Sequence, residues 1–98
     1  MPAVLVVGVA EKAAGDRVRI AMDFGNEPLL IAGYTIVDFD VTVTAPLTVA
    51  SVQVDYPFQI SGLFEAGTAG TTYDVVFWIQ LDDPDATELE RTMTLNVL

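Results

Sequence analysis

Residues 65–81 read EAGTAGTTYDVVFWIQL, and the fold turns on how this stretch divides. Ala66-Gly67-Thr68-Ala69-Gly70 is a run of small, turn-forming residues. The following Tyr73-Asp74-Val75-Val76-Phe77-Trp78-Ile79 is rich in β-branched and aromatic side chains, the composition of a strand. Successive side chains of a strand point to opposite faces. If Tyr73, Val75, Phe77 and Ile79 face a core, Val76 and Trp78 must face the other way. The only tryptophan of the chain is thus expected where a small domain usually presents polar groups to water. Two readings stand: Val76 and Trp78 form an interaction surface, or a folded-back segment such as Pro28-Leu29-Leu30-Ile31 covers them.

The same period of two extends along the chain in both directions. Val18, Ile20, Met22 and Phe24 share one face of residues 17–24, and Val37, Phe39, Val41 and Val43 share one face of residues 36–44, with Asp38, Asp40, Thr42 and Thr44 opposite. Val52, Val54, Tyr56, Phe58 and Ile60 repeat the pattern, as do Leu89, Met93, Leu95 and Val97 against Glu88, Glu90, Thr92, Thr94 and Asn96. Residues 3–9 add an apolar run, an edge strand or an extended arm within residues 1–10. Ala14-Gly15-Asp16, Gly25-Asn26-Glu27-Pro28, Ala45-Pro46 and Asp82-Asp83-Pro84-Asp85 supply turns between the runs. The pattern predicts a single all-β domain over residues 1–98, an antiparallel sandwich of about six or seven strands.

Composition narrows the function. A chain of 98 residues buries roughly 60–65% of the surface its unfolded form exposes, leaving little room for a deep cleft. The 52% apolar content is high for this size and favours an assembly partner, including a homo-oligomer. Lys12, Arg17, Arg19 and Arg91 are the only basic residues, and the net charge is −10. Nucleic-acid phosphates and anionic lipid are therefore excluded as partners. Solubility explains the charge first, and a basic protein partner also fits it. The start MPAVLVVGVA lacks both a basic leader and the length of a membrane span, so the sequence reads as a complete, intracellularly made chain.

Leu63 to Thr68 precede Tyr73-x-Val75-x-Phe77, the layout of a tyrosine corner, in which Leu63 and Tyr73 frame a turn pinned by the phenol. The alternative is an ordinary strand aromatic. The segment AGTAGTTYDVVFWIQLDDPDATELERTMTLNVL also resembles the end of a family of small immunoglobulin-like proteins encoded among the structural genes of tailed bacteriophages. The resemblance rests on G-T-A-G-T-T-Y (Gly67 to Tyr73) and E-R-T-x-T-L-x-V (Glu90 to Val97). It covers about a third of the chain well, and Ile20 to Phe24 and Ala45 to Val49 more loosely. Phe24 stands where the family leads one to expect tryptophan, and the hairpin is acidic rather than glycine-rich. The resemblance implies an immunoglobulin-like virion component without placing it in the particle.

No constellation of catalytic residues emerges. The chain has no histidine and no cysteine, which removes the commonest general base, thiolate chemistry and the usual transition-metal ligands. Asp82, Asp83, Asp85 and Glu88 crowd one hairpin, yet lack the spacing of a calcium loop and read as a solvated turn. Asp38 and Asp40 share a strand face without a cleft. Lys12 has nothing to place it near Ser51 or Ser61 as a base, and Gly67-Thr68-Ala69-Gly70 lacks the lysine of a phosphate loop. Arg91 shares parity with the inward Leu89 and Met93, and is expected to reach out toward the acidic hairpin or to serve an intermolecular contact. No cofactor and no metal are expected. The sequence thus reads as a non-enzymatic virion structural protein. A capsid decoration or cement protein bridging major capsid subunits is the first expectation, because cementing needs rigid surface and edge strands more than a pocket. The alternatives are a neck, tail or fibre-associated structural protein, and a receptor- or glycan-binding immunoglobulin-like module.

Overall fold

The computed structural model describes residues 4–6, 9–55 and 58–98. Its elements are β1 (Val4–Val6), β2 (Val9–Lys12), β3 (Val18–Asp23), α1 (Pro28–Ile31), β4 (Ile36–Thr42), β5 (Thr48–Asp55), β6 (Gln59–Glu65), β7 (Thr71–Leu81) and β8 (Glu88–Val97). They form two sheets in the orders β1-β3-β6-β5 and β2-β8-β7-β4. Discounting β2, this is the strand order of an immunoglobulin-like sandwich. Pairing is antiparallel except at two edges, where β1 runs parallel to β3 and β2 parallel to β8. The parallel edge is open to β1 because it reaches β3 through β2 in the opposite sheet, and such a crossover, unlike a hairpin, permits parallel pairing. The described residues of the opening segment therefore pair within their own chain.

Between the sheets, alternation delivers one dry layer. Ile20, Ile60 and Phe64 from one sheet meet Val75, Phe77, Ile79, Met93 and Leu95 from the other, all essentially inaccessible. The Phe64 and Phe77 rings lie 6.3 Å apart and tilted by 59°, an aromatic geometry worth about 0.5–1.5 kcal/mol beyond its buried area. α1 closes one end of this layer. Four residues cannot hold a helix by themselves. What holds it is Leu30, 2% exposed in the core, whose burial contributes about 1.5–3 kcal/mol.

Three departures from simple alternation have local causes. A register shift between Ile36 and Asp38 turns Val37 outward, 58% exposed, while Ile36 and Phe39 stay packed against the core. The inward parity expected for Val37 is thus broken by a bulge. Residues 52–60 do not form one strand: β5 ends at Asp55 and β6 starts at Gln59 as its antiparallel neighbour, and the expected inward Tyr56 lies outside the described residues. β6 evaded the sequence pattern because Gly62 interrupts its inward positions between Ile60 and Phe64. A Cβ at Gly62 would sit 2.6 Å from Val49 Cγ2, so a larger residue there would force the Val49 side chain to shift.

Candidate functional site

Strand register sets the outer face of the β2-β8-β7-β4 sheet row by row, because paired residues share a face. Asp38, Gln80 and Glu88 make one row; Asp40, Trp78 and Glu90 the next; Thr42, Val76 and Thr92 the third. Asp74 and Thr94 continue to Val9, and Thr72 and Asn96 to Glu11. Trp78 and Val76 are half-buried by these neighbours. The indole Nε1–H donates to Glu88 Oε1 at 3.0 Å, which satisfies its polar edge and holds the ring along the face. Pro28–Ile31 does not fold over this patch; it turns inward through Leu30.

Every basic side chain lies off this face. Lys12, 3% exposed, donates from Nζ to the carbonyls of Ala13 at 2.8 Å and Asp16 at 3.0 Å, closing the loop before β3. Arg17 lies 3.8 Å from Glu65. Arg19 crosses the other sheet, donating to Ser51 O at 3.0 Å and Ser61 Oγ at 2.9 Å. Arg91 does not reach the acidic hairpin as its position suggested. Its guanidinium sits 5.5 Å from the Phe24 ring centroid and pairs with Glu27, because its inward parity points it at the end of the core that α1 covers.

The remaining acidic residues fall into two kinds. On β4, an edge strand, Asp38 Oδ1 accepts from Phe39 N–H and Asp40 Oδ1 from Val41 N–H, both at 2.8 Å. In the β7–β8 hairpin, Asp82 accepts from Thr35 N–H at 2.8 Å and from Thr35 Oγ1 at 2.9 Å. Asp83 accepts from Thr87 N–H at 2.7 Å and from Thr87 Oγ1 at 2.5 Å. These donors hold both carboxyls below the usual carboxylate range: the Thr35 backbone N–H first for Asp82, the Thr87 hydroxyl first for Asp83. Among the described residues no group of three or more histidine, cysteine, aspartate or glutamate side chains is placed to hold a metal ion.

Tyr73 is buried, and its Oη accepts a hydrogen bond from Thr68 N–H at 2.8 Å across the Gly67 turn. That bond is the main cause that lowers the phenol's pKa. Gly67 takes φ +92° beside Val97 and the Tyr73 ring, a conformation open to glycine at little cost. Leu63 precedes the turn, half-buried in β6 opposite Arg19 and Ala50. At the α1 end a cleft of about 360 Å³ is lined by Leu30, Tyr34, Ile36, Val54 and Phe58 among others. Among the described residues it brings together no carboxylate, amine or other acid–base pair.

Sequence reasoning reached Val76 and Trp78 through parity alone. It treated Asp38, Asp40, Glu88 and Glu90 as separate small problems, because only strand register places them around the indole. Fold and face together define an immunoglobulin-like β-sandwich module, one sheet face of which is acidic and carries the tryptophan. Residues 12–96 match the model of the family described as Podophage GP4 fiber-tail adaptor protein gp77, and the chain belongs to that family of phage structural proteins. No curated protein matches the sequence. The family match falls on a tail and fibre component, so capsid decoration and contact with the major capsid protein gain no support from it.

Proposed function

We propose that this chain is a non-enzymatic structural protein of a podophage virion that joins a tail fibre to the tail. The observation that carries the reading is the match to a fiber-tail adaptor family over residues 12–96, which takes in β3 to β7 and all of β8 but its last residue. The physical character of the module agrees with it. A junction that transmits force needs rigid, hydrogen-bonded sheets and open surface, and this fold offers both. Val76 and Trp78 are the part of the surface assigned to contact, because indoles on accessible patches are typical anchors of protein interfaces.

The test is genetic and structural. A phage carrying a stop codon in this gene is expected to yield DNA-filled particles that lack fibres, and fibre attachment should return when the purified chain is added. In intact particles the chain should be found at the tail in few copies. Abundant copies spread over the head, or fibres retained in its absence, would overturn the reading in favour of a capsid role.

A further inference from the structure

The outer face of the β2-β8-β7-β4 sheet carries Glu11, Asp38, Asp40, Asp74, Glu88 and Glu90, all exposed. No lysine or arginine shares it: Lys12 is buried, Arg17 and Arg19 belong to the other side of the sandwich, and Arg91 is engaged by Glu27 and Phe24. Like charges gathered on one sheet face oppose the fold, and nothing among the described residues neutralises them. At the centre, Trp78 stands between Asp40 and Glu90 with Val76 in the next row. An apolar centre ringed by unneutralised carboxylates is the complement of a cationic protein surface, not of water alone.

The same observations choose among occupants. A second copy docked through this face would bring the carboxylates of two copies together, so a symmetric dimer there is opposed. Nucleic acid and anionic lipid are opposed by the same sign of charge. Among cations, guanidinium fits better than ammonium, because it stacks on an indole and pairs with carboxylate through a planar fork. From this we propose that the face docks an arginine-presenting protein surface at the tail–fibre junction. A guanidinium lies over Trp78 and pairs with Asp40 or Glu90. The inference rests on the adaptor reading and adds to it the chemistry of the partner.

The experiment uses the full chain with purified fibre protein and with fibreless tails of the same phage. Affinity is measured for wild type, Trp78→Ala and the double variant Asp40→Asn/Glu90→Gln. Asparagine in place of Asp40 keeps an amide oxygen able to accept from Val41 N–H, so β4 is left intact. Binding to at least one partner should weaken about ten-fold for the charge variant and about thirty-fold for Trp78→Ala. It should also weaken as salt rises from about 50 to about 300 mM, and the charge variant should melt no lower than wild type. A second arm follows the emission of the sole tryptophan on adding a tetra-arginine peptide, with tetra-lysine for comparison. Binding to tail or fibre that ignores salt and both substitutions would overturn the face while leaving the adaptor reading intact. Arginine-selective emission changes without binding to tail or fibre would overturn the adaptor reading while upholding the chemistry of the face.

Discussion

At Tyr73 a single phenol oxygen ties the Gly67 turn to the strand that follows, through the 2.8 Å bond from Thr68 N–H. Thr68 is exposed, so water replaces the lost acceptor when the oxygen is removed. Tyr73→Phe is therefore expected to cost about 1 kcal/mol, the net worth of an ordinary hydrogen bond, read as a lower urea midpoint at unchanged slope. An unchanged midpoint would show that the oxygen contributes nothing. Asp82 and Asp83 act on a different variable. Their folded pKa values lie below those of the unfolded chain, so the folded state binds fewer protons near pH 4. Their stabilisation is complete above the unfolded carboxylate value of about 3.9 and is lost as pH falls through the lower folded values. Thermal melts between neutral and about pH 2.5 should fall more steeply for wild type than for Asp82→Asn or Asp83→Asn. Parallel curves would mean that the threonine donors do not discriminate charge.

Edge strand β4 illustrates how an element is kept from pairing wrongly. Unpaired N–H groups on an edge invite another strand, and here Asp38 and Asp40 occupy those of Phe39 and Val41. The double variant Asp38→Ala/Asp40→Ala is expected to self-associate with concentration, seen by light scattering, while keeping its monomer circular dichroism. A variant that stays monomeric would show that the edge is protected by other means. α1 presents the complementary case, an element too short to stand alone and held by Leu30 inside and by the contact of Arg91 with Glu27 and Phe24 at its start. Arg91→Ala should loosen it first. Amides of residues 29–34 should exchange faster while those of β7 do not change. Because the pair is partly exposed, the global cost should stay at about 1 kcal/mol or less.

For the molecule as a whole, charge is distributed by tertiary position and not merely by amount. A net charge of −10 repels itself, so melting temperature should rise with added sodium chloride, and a molecule indifferent to salt would contradict the picture of unneutralised carboxylates. Two layers, the period of two and the outward parity of Val76 and Trp78 were all legible in the sequence, because alternation is a local property of extended chain. Where the alternation is broken, legibility fails: the bulge at Ile36–Asp38 exposed Val37, and the missing side chain of Gly62 concealed β6.

By itself, then, the sequence determined that this protein is a two-layered β domain, strongly acidic, with one indole set against the expected grain of its strand. Only the tertiary structure decided that Asp40 and Glu90, fifty residues apart along the chain, flank that indole, and that every cation lies elsewhere. The reason is physical: facing direction follows from neighbouring residues, whereas cross-strand register is fixed by pairing between distant segments and by the bulges that shift it.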